Sequence, residues 1–172
     1  VLVEGVEAYK VCKNYMKAVM PSHSKKVQQY NDDRNPLFQK FKLDAQLQDI
    51  FNPRVNLKSG GYLIIDQTEA LVAIDVNSGK ATRERSIEDT ALKTNLEAAE
   101  EFSRQARLRD LSGLIVIDFI DMEEGKNRNL VEKKLKDAMR KDRARIQIGE
   151  ISSFGLLELS RQRLRPSVIE NS

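Results

Sequence analysis

Two apolar segments of the sequence end in acidic residues, and these acids are the first candidates for chemistry. The segment 70–76 carries Asp75 and is followed by Asn77, and the segment 113–120 carries Asp118. Because burying an unpaired carboxylate is costly, such groups are usually paired, hydrogen-bonded or bound to metal. Side chains alternate across a strand, so Asp75 and Asn77 share one face. Mg²⁺ takes one or two protein carboxylates and completes its shell with water and substrate phosphate, so Asp75 and Asp118 predict a magnesium site. The alternative is that both aspartates only cap the turn or helix that follows.

Three basic residues are candidates for holding a phosphate backbone. Lys80 lies in the loop 78–82 directly after the first acidic segment. This loop lacks the first glycine of a phosphate loop and the hydroxyl residue that should follow the lysine. Arg143 and Arg145 open a β-like segment, where alternation predicts that they share one face, and paired guanidinium groups suit phosphodiesters. Solvated loop charge and surface salt bridges are the competing interpretations.

Two further aspartates are left out of the predicted site. Asp121 lies three residues before Glu124 and just ahead of a predicted helix, so it is interpreted as a cap. Asp66 ends a strand and is interpreted as its terminus. Alternation along 113–121 places Asp118 on one face of its strand and Asp121, if the strand continues, on the other.

The elements that must position these residues form an α/β pattern with a mixed sheet and flanking helices. The N-terminal fifty residues predict a strand and two helices, with Pro21 ending the first helix and Pro36 opening the second. Strand patterns begin near Val55, and Ser86 with Asp89 predicts a capped helix start. The remaining predictions are a hairpin of 62–66 and 70–76, a central strand at 113–120 buried on both faces, a charged helix at about 127–141, and strands at 145–148 and 156–159.

Composition sets outer limits on the class of protein. The chain has 172 residues, 40% of them hydrophobic, which allows one real core with an appended piece of another domain. Its net charge of +3 does not demand a polyanionic partner, although the segment 133–165 is basic. The single cysteine, Cys12, excludes an internal disulfide and fits a reducing, cytoplasmic compartment. No apolar run is long enough for a membrane helix, and we expect the chain to be part of a longer protein.

Six sequence blocks give the chain a family resemblance. The blocks are TEALVAIDVNSG at 68–79, NLEAA at 95–99, RLRDL at 107–111, GLIVIDFIDM at 113–122, DRARIQ at 142–147 and FGLLELSRQR at 154–163. Through these blocks the segment from Gly60 to Pro166 resembles the ribonuclease E/G family. Their shared order makes the resemblance far more specific than a single motif.

The resemblance implies a fold and a site. Residues 52–172 are expected to form a deoxyribonuclease-I-like catalytic subdomain, and residues 1–51 part of a ribonuclease-H-like subdomain. Asp75 and Asp118 are expected to hold Mg²⁺, with the Asn77 amide supporting them. The implied reaction is the cutting of single-stranded, A/U-rich RNA into 5′-phosphate and 3′-hydroxyl ends, during messenger decay and RNA maturation.

The resemblance also sets expectations about partners and cofactors. It implies a homotetramer for the intact protein and allows degradosome-type protein partners. The family's zinc ligands are not in this chain, and we expect the chain alone to cleave weakly or not at all. Two alternatives stay open: a non-catalytic RNA-binding or assembly module, and a different Mg²⁺-dependent phosphotransferase.

Overall fold

The structure is a computed structural model that describes residues 1–79 and 86–165. The chain divides into two compact units, Val1–Phe51 and Asn52–Ser172, and each is described by itself. Lys80, one of the predicted phosphate-binding residues, lies outside the described residues. Within the described ranges, no helix combines the length and apolar character needed to cross a membrane.

The first unit contains short elements around a two-stranded sheet. Strands β1 (Leu2–Glu4) and β2 (Gln28–Tyr30) pair in parallel, and the connection between them holds helix α1 (Val6–Val19) and a 3-10 helix (Pro21–Lys26). The first predicted strand and helix are therefore present, and Pro21 follows the helix as predicted. The second predicted helix is wrong as a single element. It is two helices, α2 (Leu37–Lys40) and α3 (Leu43–Asp49), because Lys42 between them adopts a left-handed conformation with φ 54°.

The second unit is built on one six-stranded mixed sheet. Its strands are β3 (Arg54–Asn56), β4 (Tyr62–Gln67), β5 (Val72–Asn77), β6 (Gly113–Asp118), β7 (Ile146–Ile151) and β8 (Leu156–Arg161), in the order β3-β4-β5-β6-β8-β7. Strands β5 and β6 are parallel and are joined through helix α4 (Ile87–Arg109), while the other pairs are antiparallel. Helix α5 (Gly125–Met139) connects β6 to β7. This arrangement confirms the predicted α/β class and the hairpin β4–β5.

Among the described residues, only one face of this sheet carries the core. Alternate strand residues such as Leu63, Ile74 and Ile117 are buried and pack with residues of α4 and α5, including Phe102 and Leu135. The prediction that the central strand is buried on both faces is wrong. On its other face Leu114 is 45% exposed, because both helices of this unit pack on the opposite side. Alternation therefore produces a closed face and an open face of the sheet.

Helix α4 begins where its sequence predicts. Ser86 is the N-cap, and its hydroxyl accepts a hydrogen bond from the Asp89 amide at 3.1 Å, which confirms the predicted capping interaction. Small and apolar residues such as Ala91 and Ala99 line its buried face. The helix ends at Asp110, which adopts a left-handed conformation with φ 50°.

A buried ion cluster holds the end of the sheet where β8 finishes. Arg161 is 3% exposed, and its guanidinium donates to Asp142 at 2.7 Å and to Asp110 at 2.8 Å. Asp110 also accepts hydrogen bonds from the backbone amides of Leu164 and Arg165. Burial alone raises the pKa of Asp142, but its hydrogen bonds from Arg161 and the Ala144 amide outweigh burial and leave that pKa below its ordinary value. The charges are paired, so the cluster is satisfied within the fold.

Candidate active site

The two predicted acids lie side by side on the open face of the sheet. Strands β5 and β6 pair in a register that sets Asp75 directly opposite Asp118. Adjacent strands lie about 4.8 Å apart, so the two carboxylates emerge close together at the carboxyl ends of two parallel strands. Asn77, two residues further along β5, donates a hydrogen bond from its amide nitrogen to Asp75 Oδ2 at 2.9 Å. All three residues line an open depression of about 340 Å³.

The electrostatics of this depression favour a cation. Burial raises the pKa of Asp118, and the negative charges of Asp75 and Asp121 raise it further. Within 1–79 and 86–165, no lysine or arginine forms a salt bridge with Asp75 or Asp118. Two adjacent carboxylates without a cationic side chain are a suitable pair of ligands for a hard divalent ion. The described residues contain no group of three or more His, Cys, Asp or Glu side chains suited to a metal, so substrate oxygens and water would complete the coordination.

Asp121 does not have the capping role that the sequence suggested. Helix α5 starts at Gly125 with Glu124 at the N-cap, which leaves Asp121 outside the cap position. Its carboxylate instead lines the same depression as Asp75 and Asp118. It also lies against Gly155, where an added Cβ would come within 3.1 Å of Asp121 Oδ1. The cap interpretation failed because the segment after β6 continues for six residues before the helix begins.

The start of α5 is instead bound by a residue of α4. The Glu88 carboxylate accepts hydrogen bonds from the Glu123 amide at 2.9 Å, the Glu124 amide at 3.2 Å and Asn127 Nδ2 at 2.6 Å. The Asn127 hydrogen bond, followed by that of the Glu123 amide, lowers the pKa of Glu88. An anion at this position also favours the positive end of the α5 dipole. Sequence reasoning missed this contact, because Glu88 lies 35 residues before Glu123.

A second residue of α4 holds the segment that follows Asp118. Asn95 is fully buried, and its amide donates to the Ile120 carbonyl at 2.8 Å and accepts from the Ile120 amide at 3.0 Å. The side chain thus binds both polar backbone groups of one residue between Asp118 and Asp121. The signal available in the sequence was an asparagine in the middle of a helix, where it is unfavourable unless its side chain has a specific partner.

The same helix supports the end of β5 through a glycine. Gly61 lies between α4 and the backbone of Asn77: an added Cβ would come within 2.7 Å of the Asn77 carbonyl oxygen and 3.0 Å of Thr94 Cγ2. Only glycine allows this approach without displacement. Of two neighbouring residues of α4, Thr94 therefore lies near Gly61, which packs on the Asn77 backbone, and Asn95 binds the segment that follows β6.

Arg143 and Arg145 are not close to the acids. Both precede β7, which begins at Ile146, so the prediction that they lie in a strand is wrong. Both are nevertheless exposed on either side of the buried Ala144. Ile146 pairs with Arg161 and Arg161 with Gly113, the opposite end of β6 from Asp118. Gly113 and Asp118, at the two ends of β6, are roughly 17 Å apart at about 3.3 Å per residue. The two arginines are exposed, and their predicted role in substrate binding stays a prediction for RNA lying beyond the acidic depression.

The fold and site define a class: an α/β unit with paired carboxylates at the carboxyl ends of two parallel strands, on an open sheet face. Comparisons with known proteins make the class specific. The model of the ribonuclease E/G family matches residues 1–164, and the chain belongs to that family.

Individual relatives agree with this assignment. The chain is 50% identical over 172 residues to a ribonuclease E of Haemophilus influenzae, covering 100% of the chain and 18% of that protein. It is 50% identical over 173 residues to ribonuclease E of Escherichia coli K12, covering 100% of the chain and 16% of that protein. Ribonuclease G of the same strain is 39% identical over 166 residues, covering 96% of the chain and 34% of that relative. The chain therefore spans less than a fifth of the length of these ribonuclease E relatives.

Proposed function

We propose that this chain is the catalytic segment of a Mg²⁺-dependent endoribonuclease that hydrolyses phosphodiester bonds of single-stranded RNA. One observation carries the proposal: Asp75 and Asp118 are register partners on the open sheet face, and neither forms a salt bridge within residues 1–79 and 86–165. Membership of a family whose relatives are named ribonuclease E and ribonuclease G supports the reaction class.

The residues present fit a magnesium ion. Asp75 and Asp118 would hold the ion, which when bound lowers the pKa of a coordinated water and neutralises charge on the phosphate. Asn77 fixes the orientation of the Asp75 carboxylate by donating to one of its oxygens, which leaves the other oxygen available as a ligand. Asn95 restrains the backbone that follows Asp118, so both acids are held by packed elements.

The open face explains why a polymer can reach these acids. The described residues place no helix of this unit over Asp75 or Asp118, and Leu156, the next residue in the same row, is 38% exposed. A strand of RNA can therefore lie across the sheet with a phosphate at the depression. By contrast, a larger cavity of about 720 Å³ is lined by residues of both helices and contains neither acid.

Finer features of the function are proposed from the family resemblance. They are a preference for A/U-rich RNA, products with 5′-phosphate and 3′-hydroxyl ends, and roles in RNA processing and messenger decay. A cytoplasmic location, a homotetramer in the intact protein and degradosome-type partners belong to the same proposal.

The test compares charge-neutral variants in the intact protein that contains this chain. Asp75→Asn and Asp118→Asn should each reduce cleavage of a 5′-monophosphorylated single-stranded RNA by at least about a hundredfold, because each removes a charge that holds the ion. Asp66→Asn is the matched control, since Asp66 lies on the same face of β4 but two residues from the Asp75 row. Cleavage rates across a magnesium titration, product ends and melting curves are measured for each variant.

The outcome separates catalysis from simple binding. Full activity of Asp75→Asn and Asp118→Asn would refute the catalytic proposal and favour the alternative, a non-catalytic RNA-binding module. A loss of activity in Asp66→Asn as large as in Asp118→Asn would show that the assay reports surface charge rather than the ion site.

A further inference from the structure

We infer that Arg54 forms a phosphate-binding subsite for the RNA strand, on the same sheet face as the acids. The inference rests on the proposed function and extends it to a residue that neither motif nor family block contains. Strand register, side-chain orientation and an unneutralised charge support it.

Register places Arg54 in the row of the acids. Arg54 on β3 is the partner of Ile64 on β4, Ile64 is the partner of Asp75, and Asp75 is the partner of Asp118. Directly opposed residues point to the same side of a sheet. Val55, the neighbour of Arg54, packs against the core, so Arg54 points to the open face.

Two contacts hold the guanidinium in one orientation. Its Cζ lies 3.8 Å from the centroid of the Tyr62 ring, a stacking cation–π contact. Its Nε donates to Asn56 Oδ1 at 3.2 Å. The Tyr62 ring is itself restrained by Gly79, where an added Cβ would approach Cδ1 and Cε1 to 3.2 Å. The two terminal nitrogens are therefore presented on a fixed support.

The charge of Arg54 is not neutralised by the described part of the chain. Arg54 is exposed, and none of the salt bridges among residues 1–79 and 86–165 includes it. A planar guanidinium with two parallel donors matches the two non-bridging oxygens of a phosphodiester. The proposed ligand is a backbone phosphate, and such a contact would position the strand without reading its sequence.

The distance suits a neighbouring nucleotide of the same strand. Arg54 and Asp75 are separated by two strand spacings, or about 10 Å between Cα atoms. At the axial repeat of about 3.4 Å per nucleotide that a strand has in a duplex, this distance spans roughly three nucleotides, so we expect Arg54 to meet a phosphate close to the one at the acids. The basic side chain thereby offsets the repulsion that an acidic depression exerts on RNA.

The experiment measures RNA affinity separately from cleavage. Binding of a short A/U-rich single-stranded RNA by the intact protein is followed without divalent ions at several salt concentrations. Arg54→Gln should weaken binding and reduce the slope of log affinity against log salt by about 0.7, the value for one phosphate contact on a single strand. The ratio of wild-type affinity to Arg54→Gln affinity should therefore fall about 2.6-fold between roughly 50 and 200 mM salt.

Matched variants test orientation and position. Arg54→Lys should keep the salt slope but bind more weakly, because the charge remains while the fork and the stacking are lost. Tyr62→Leu should weaken binding because the ring that supports the guanidinium is lost, and circular dichroism checks that each variant is folded. Arg104→Gln is the control for charge alone, since Arg104 is an exposed arginine of α4, on the helical side of the sheet, paired with Glu101.

Each result decides the inference. An unchanged slope in Arg54→Gln, or an equal change in Arg104→Gln, would overturn the subsite. If Asp118→Asn still cleaves RNA while Arg54→Gln shows the reduced salt slope, the proposed catalytic function is refuted and the subsite is supported. The two proposals can therefore be refuted independently.

Discussion

Adjacent polar residues of α4 should respond to mutation in opposite directions. Asn95 is fully buried and exchanges two hydrogen bonds with the Ile120 backbone. Thr94 is 1% exposed, and no described residue offers its hydroxyl a hydrogen-bond partner. We therefore predict that Asn95→Ala destabilises the fold, while Thr94→Val leaves it unchanged or stabilises it.

The magnitude follows from the number of backbone groups left without partners. Removing the Asn95 amide leaves the N–H and the C=O of Ile120 without hydrogen-bond partners, and each unsatisfied buried group costs about 1–3 kcal/mol. Because Ile120 is only partly buried, water recovers part of this, and the expected loss is about 2–4 kcal/mol. Thr94→Val removes a polar atom that has no described partner, so the expected change is about 0–2 kcal/mol in the stabilising direction.

Urea unfolding followed by circular dichroism provides the assay. With a slope of about 2 kcal/mol/M, Asn95→Ala should lower the unfolding midpoint by roughly 1–2 M. A midpoint for Asn95→Ala within error of wild type, or a larger loss in Thr94→Val than in Asn95→Ala, would refute the assignment of Asn95 as the support of the Ile120 backbone.

Three further predictions concern the surroundings of the site and the ion cluster. Gly155→Ala should destabilise more than Gly113→Ala in urea, because both have φ near 80° but only at Gly155 would the Cβ approach Asp121 Oδ1. Asp121→Asn should lower cleavage by the intact protein about tenfold and raise the magnesium concentration required, since one nearby negative charge is lost; unchanged magnesium dependence would contradict this. The lowered pKa of Asp142 means that its contribution to stability is present above its unfolded pKa of about 3.9 and disappears as the pH falls through the folded value. Asp142→Asn should therefore cost about 3 kcal/mol at neutral pH and flatten the acid limb of unfolding free energy against pH.

Local patterns predicted most of the elements. β-rich segments joined by a short turn identified β4 and β5, a nearly continuous apolar run identified β6, and the Ser86 cap located the start of α4, because these signals depend on neighbouring residues. The left-handed Lys42 that divides the second predicted helix has no comparable signal. Burial on both sides of β6 was also inferred wrongly, since an apolar run does not reveal on which side the helices pack.

The site was predictable only in part. The family resemblance selected Asp118, which the register sets beside Asp75. Strand parity placed Asp121 on the opposite face, but β6 ends at Asp118 and Asp121 lines the same depression. The contacts of Glu88 and Asn95 join residues 25 to 39 positions apart, and no sequence pattern encodes such pairings. Arg54 was missed for the same reason, because its proximity to the acids arises from the register of three paired strands.

The one-sided sheet has a consequence for how this protein tolerates change. Hydrophobic stability is concentrated on the closed face, whereas Asp75 and Asp118 repel each other on the open face and add nothing to the core. Sequence drift among the core residues can thus adjust thermal tolerance without touching the acids. Conversely, loss of the Asp75 or Asp118 charge is expected to leave a well-folded chain. Under the proposed function, such inactive copies would persist in a cell as competitors for RNA rather than being cleared as misfolded protein.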